Sequence, residues 1–208
     1  MLSLRPAEVK DGPIAAELLA ETMGGFGVAA LGLGKKDLEL SALQKWFSSA
    51  GNRFSYQHTT LAEADGSACG LLLGFPGNRL TALELGCARH LFCIYGFFGA
   101  FGMVWRNKVL GGTNEADNNE YLLAHLAVDS AHRRKGIGAE LIHKAVDAAN
   151  VAGFSRLVLE VEIGNDPALK LYQKSGFEIL HTTEFKRADL LNCRGFHKML
   201  KIIKGESQ

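Results

Sequence analysis

The spacing of apolar residues changes several times along the 208-residue chain, and each change predicts an element. Leu2 and Leu4 alternate with polar neighbours before Pro6, which predicts a short first strand. From Val9 to about Met23 the apolar positions recur at helical spacing through Ile14, Leu18 and Leu19. Gly24 and Gly25 are expected to end that helix. A second helix is expected over residues 38–47, stopped near Gly51 and Asn52. Residues 53–61 alternate as a strand does, Asp65-Gly66 supplies a tight turn, and residues 68–73 supply the partner strand.

The second half is more regular. Residues 121–128 are too continuously apolar for a strand with one wet face, so they predict a central one. A helix follows over residues 136–152, with Ile137, Leu141, Ala145 and Ala148 on one stripe and Gly153 as its stop. Residues 157–161 form the next strand. Asp166 is placed to cap a helix whose first residue is Pro167 and which runs to about Ser175. Strands over 177–180 and 196–203 complete the order. Strands and helices interleave in this way in a mixed α/β domain, expected to be a single unit over residues 1–208.

Residues 75–118 break the rhythm, and about 77–118 is read as an insertion of one or two helices followed by a loop. Residues 91–105 hold fifteen positions without a charge. A membrane-spanning helix needs about 17–25 residues, so stable membrane insertion is not expected. Burial against the core, contact with a partner subunit as a homodimer, and the lining of an apolar pocket are the ways to cover this segment. The acidic positions Glu115, Asp117 and Glu120 read as a solvated face, or as an attraction for a cationic substrate.

A net charge of +1 argues against a general nucleic-acid surface. Cys69, Cys87, Cys93 and Cys193 form no C-x-x-C pair, which predicts neither a disulfide framework nor a zinc site and fits a cytoplasmic protein. The start, MLSLRPAEVKDGP, lacks the pattern of a signal peptide. His90, His132, His143, His181 and His197 have no metal-ligand spacing, and no metal is expected.

The densest candidate chemistry is Ala-Val-Asp-Ser-Ala-His-Arg-Arg-Lys-Gly-Ile-Gly at 127–138, between the central strand and its helix. A helix N-terminus offers unpaired N–H groups and a positive dipole end, and glycine lets a phosphate approach them. A G-x-G-x-x-G pattern is absent, as is a Gly-Lys-Ser/Thr ending. Taken alone, the stretch reads equally well as a turn with solvated arginines.

Its context resembles the GNAT-type (GCN5-related) N-acetyltransferase superfamily. Arg133-x-x-Gly136-x-Gly138 follows a strand ending Leu126-Ala127-Val128-Asp129, and Asn165-Asp166-Pro167-Ala168-Leu169-Lys170-Leu171-Tyr172 comes at the expected distance. The resemblance is strong over 119–180, moderate over 1–76 and poor over 77–118. It implies an acyl-CoA N-acyltransferase-like mixed β-sheet flanked by helices, with a helical apolar insertion before the central strand. It implies acetyl-CoA as acyl donor, its pantetheine arm beside Leu126, Ala127 and Val128. Its pyrophosphate would lie on main-chain N–H groups across Arg133, Arg134, Lys135, Gly136, Ile137 and Gly138, with Asn165 and Ala168 against the arm. Tyr172 matches the family's general acid, although packing also accounts for it.

The implied reaction is direct attack of a primary amine on the thioester, which needs placement, proton removal and oxyanion stabilisation. Backbone N–H near Val128 suits the oxyanion. Two base candidates stand beside a water chain: Glu120, at the start of the central strand, and His125, whose ordinary pKa of about 6.5 suits a base. Their odd separation puts them on opposite faces unless a bulge intervenes. The expected acceptor is a small cationic amine. A peptide or protein amine, and a non-catalytic acyl-CoA sensor, are the competing readings.

Overall fold

The computed structural model of the chain describes residues 2–110, 114–186 and 188–203. Seven strands form one sheet: β1 (Leu2–Pro6), β2 (Thr59–Ala64), β3 (Ser67–Pro76), β4 (Tyr121–Val128), β5 (Arg156–Glu162), β6 (Glu178–Glu184) and β7 (Gly195–Ile202). Their spatial order is β1-β2-β3-β4-β5-β7-β6, and among the paired neighbours only β4 and β5 run parallel. Among the described residues the sheet is accompanied by the α-helices α1 (Gly12–Ala30), α2 (Lys36–Phe47), α3 (Leu80–Ala88), α4 (Leu91–Leu110), α5 (Ile137–Val151), α6 (Asp166–Lys174) and α7 (Ala188–Leu191).

Each sheet face buries its own core, as a two-sided sheet must. One core packs α1 and α2 against β3 and β4 through Leu19, Leu43, Phe47, Leu71, Leu73 and Leu122. The other packs α5 against the opposite face through Leu141, Ile142, Ala145, Leu157 and Leu159. The hairpin turn predicted at Asp65-Gly66 joins β2 and β3, both residues with positive φ (53° and 81°).

Three local expectations are corrected. Gly24 and Gly25 do not end α1. Gly24 takes φ 51° and ψ −136°, and the helix bends there and continues to Ala30. A Cβ at Gly25 would collide with the Asn192 side chain, so the second glycine lets the segment after α7 close on the bend. Residues 53–58 are not strand: a 3-10 turn occupies Tyr56–His58 and β2 begins at Thr59. Asn165, not Asp166, caps α6, its Oδ1 accepting the Ala168 N–H at 3.3 Å.

The insertion contains α3 and α4 and joins β3 to β4, which are adjacent antiparallel strands. Its inner side packs on the α1–α2 core through Leu83, Cys87, Leu91, Ile94 and Tyr95. The Tyr95 hydroxyl donates to Leu31 O at 2.8 Å. The core does not cover the outer side: within the single chain Phe92, Phe97, Phe98 and Phe101 are 61–88% exposed. Among the described residues no helix is long and apolar enough to cross a membrane.

Candidate active site

The site begins where two strands part. β4 and β5 pair only at Tyr121↔Leu157 and Leu122↔Val158, although both continue for several residues. Beyond Leu122 a wedge opens between them. β4 also carries a bulge: Leu73 faces His125 while Gly74 faces Leu123, so Ala124 is the extra residue. The bulge resets the alternation. Leu122 and Ala127 both belong to the α1–α2 core, and His125 is on the same side as Leu122 in spite of its odd offset.

The turn at the head of α5 has the geometry of an anion seat. Arg134 and Gly136 take positive φ (62° and 84°), and residues 133–136 are exposed. Among the described residues no backbone acceptor meets the N–H groups of 134–138. Gly138 serves packing as well, because a Cβ there would stand 3.0 Å from Leu171 of α6. Ile137 is buried in the α5-side core, so only its main chain is available. Arg133 points back: its Nε donates to Val128 O at 2.9 Å, and its guanidinium pairs with Glu21 at 3.0 Å. It braces the turn, which leaves Arg134 and Lys135 as the free-standing charges. His132 is paired with Asp129 at 2.9 Å.

A cavity of about 600 Å³ runs from this wedge under the bend of α1 to the inner side of α3 and α4. Leu126, Asn165, Ala168 and Tyr172 line its α6 side. Glu84, Cys87, Ala88 and Leu91 of the insertion wall it opposite. Among the described residues Glu84, Glu115, Glu160 and Glu162 line the cavity together with Arg53. Arg53 meets Glu115 through two bonds of 2.9 and 2.6 Å and reaches Glu84 at 3.2 Å. Burial alone would raise the Glu115 carboxyl, but Arg53 outweighs it and holds Glu115 below the ordinary carboxylate range. Glu115 is therefore no solvated face.

His125 sits in the cavity wall with a defined protonation state. Its Nδ1 is 2.8 Å from Thr22 Oγ1. The single Thr22 hydroxyl proton is given to Leu19 O at 2.7 Å, so the hydroxyl accepts and Nδ1 carries the hydrogen. Nε2 is then a bare lone pair, buried and without a partner among the described residues. Burial, aided by the Arg53 charge, pushes the imidazole down to about 4. Phe54 stacks on the ring at 5.6 Å.

Tyr172 is buried, edge-on to Phe177 at 5.9 Å, and desolvation pushes its hydroxyl up to about 12. It keeps its proton at neutral pH. Glu120 stands elsewhere. It is 1% exposed at the closed end of the wedge and does not line the cavity. One oxygen accepts from Arg156 at 3.0 Å; the other accepts from Lys198 at 3.0 Å and from the Asp117 N–H at 2.9 Å. Burial opposes its charge, yet these donors keep it below its ordinary range. The structure thus brings His125, Tyr172, Leu126, Asn165 and Ala168 to one cavity and leaves Glu120 outside it. Sequence reasoning missed Thr22, on α1 just before its bend, and Arg53, which is paired with Glu115. Among the described residues no group of three or more His, Cys, Asp and Glu is placed to hold a metal ion.

Known proteins share parts of this arrangement. The chain is 32% identical over 85 residues to GCN5-related N-acetyltransferase 6, chloroplastic, of Arabidopsis thaliana, a match covering 40% of this chain and 30% of that protein. It is 53% identical over 55 residues to N-alpha-acetyltransferase 30 of Xenopus laevis, covering 26% and 20%. The chain thus spans less than a third of these relatives' lengths. The fold is shared with an N-acetyltransferase crystal structure from Staphylococcus aureus Mu50, at a TM-score of 0.71 and 23% identity over 95% of this chain and 99% of that one. The sequence model of the Acetyltransferase (GNAT) family matches residues 34–177, a span that takes in the wedge and the glycine turn, and the chain belongs to that family.

Proposed function

We propose that the chain is an acetyl-CoA-dependent N-acetyltransferase whose acceptor is a small cationic primary amine. The observation that carries this reading is the continuity of the β4–β5 wedge with a cavity walled by α3 and α4 and rich in carboxylates. The bare N–H groups of 134–138 suit the pyrophosphate, and the parted edges of β4 and β5 suit the amide-bearing arm. The thioester supplies the acetyl group.

The residues of the chain do the rest. The carboxylates draw in the ammonium form, and the amine reacts after losing a proton. His125 Nε2 accepts an N–H of the attacking nitrogen and aims its lone pair at the carbonyl carbon. As the C–N bond forms and the C–S bond breaks, the nitrogen's proton passes towards Nε2. The Tyr172 O–H supplies a proton to the departing sulfur. A main-chain N–H near Val128 faces the developing oxyanion.

Calorimetry with acetyl-CoA, CoA and ATP, followed by acetyl transfer to an amine panel, tests the proposal. Micromolar binding of acetyl-CoA, weak binding of ATP and turnover on a small amine are expected. A folded sample that binds neither acetyl-CoA nor CoA would sink it. Binding without transfer to any amine would favour an acyl-CoA sensor. The stretch shared with N-alpha-acetyltransferase 30 favours a second reading, acetylation of a peptide N-terminus. Short peptides in the same panel separate the two.

A homodimer through α4 belongs to the same proposal, because four exposed phenylalanines, three of them in ring contact, are costly on a monomer. Sedimentation equilibrium is expected to show dimers that Phe97→Ser with Phe98→Ser disperses. A wild-type chain monomeric at every concentration excludes it.

A further inference from the structure

Three phenylalanines in the cavity have no part in seating the acyl donor or in handling the proton. Phe26 follows the bend of α1, Phe185 follows β6, and Phe196 lies in β7. Their ring centroids are 5.6–6.3 Å apart, one pair stacked and two edge-on. The rings belong to neither core, all three are half-buried, and all three line the cavity beside Glu160 and Glu162.

The backbone around them is specialised. The bend at Gly24 turns the second half of α1, with Phe26, out of the direction set by the first half. Gly195, beside Phe196, takes φ 143°, and a Cβ there would collide with Thr183 O. Three distant segments are thus shaped to present rings to a cavity rather than to one another alone.

We infer that Phe26, Phe185 and Phe196 form the seat for the body of the acceptor, and that this acceptor is a primary alkylamine whose chain bears an aromatic ring. The inference rests on the reading of this cavity as an acceptor pocket. Aromatic rings gain from edge and offset contacts at these separations. A ring face also attracts the ammonium end, which the neighbouring carboxylates complement. A polyamine or a polar peptide would instead lose water along this wall without hydrogen bonds to replace it.

Phenylethylamine, ethylamine, spermidine and alanyl-alanine amide are to be titrated into the CoA-loaded protein, with acetyl transfer to each measured in parallel. Phenylethylamine is expected to bind at least about tenfold tighter than ethylamine, the gain of burying a ring. Phe185→Ala is expected to erase roughly that tenfold in both Kd and KM for phenylethylamine, with ethylamine and acetyl-CoA unchanged. Phe185→Leu, which keeps most of the volume, retains an intermediate value, and Phe26→Ala repeats the test from another segment. The inference is overturned if no amine binds, if the ring confers no advantage, if spermidine or the dipeptide binds tightest, or if the variants change nothing. Ring-selective binding without acetyl transfer would uphold this inference and overturn the transferase reading.

Discussion

His125→Ala is expected to lower kcat for amine acetylation by about 10²–10³-fold while leaving acetyl-CoA binding unchanged. The size follows from what the side chain offers. Thr22 holds hydrogen on Nδ1, so Nε2 is the ring's lone pair and the proposed contact to the amine falls to it. An imidazole held near 4 is a weak base, which puts the effect in the lower part of the range for acid–base groups. The same value fixes the pH behaviour. His125 is neutral from pH 5.5 to 9 and charges only as pH falls towards 4, where an imidazolium would repel the ammonium. The rising limb of the rate profile therefore belongs to the amine, and the alanine variant keeps it. Thr22→Val, which strands the Nδ1 hydrogen, is expected to cost about tenfold, and Thr22→Ser to restore the rate. A His125→Ala enzyme within threefold of wild type would remove His125 from the mechanism.

Where local chemistry decides structure, the sequence was legible. The strand at 121–128 is apolar but for His125 because both of its faces are covered, and β4 has those bounds. The glycines at 136 and 138 were read for close approach to main-chain N–H groups, and the structure adds a positive φ at one and contact with α6 at the other. Long-range partners were not legible. Arg53 looked like the start of a strand, but it is placed by Glu115, sixty-two positions on. The faces of Glu120 and His125 were argued from period two, and the Ala124 bulge, which no residue type announces, breaks that period. Gly24-Gly25 has the composition of a helix stop. It acts as a bend because Ala29 and Ala30 beyond it still find a buried place. Thr22, Phe26, Phe185 and Phe196 carry no motif, since they meet only in three dimensions.

Glu120→Ala is expected to destabilise the fold by about 3–5 kcal/mol, the cost of stranding a buried charge. Lys198 is 3% exposed and, among the described residues, would keep the Asn114 carbonyl, at 3.2 Å, as its partner. The loss reaches further than one ion pair. The Glu120 main chain accepts from the Gly77 N–H at 2.8 Å, and its side chain accepts from the Asp117 N–H. Both ends of the insertion are thereby fastened beside the point where β4, β5 and β7 run together. Glu120→Gln keeps an acceptor for Lys198 and loses the charge, so a smaller loss is expected. Urea unfolding measures both variants. The pH dependence has a definite sign. A carboxyl held below its unfolded value of about 4.3 stabilises the fold above that pH, and the contribution is lost as pH falls through the lower folded value. The wild-type urea midpoint should therefore fall more steeply than that of Glu120→Gln below pH 4.5. The glutamine variant also decides between the two base candidates. Folded Glu120→Gln is expected to retain kcat within about threefold, because Glu120 lies outside the cavity and gives both oxygens to structural donors. A stable Glu120→Gln protein with a hundredfold lower kcat would transfer the base role from His125 to Glu120, and would require the closed end of the wedge to open during the reaction.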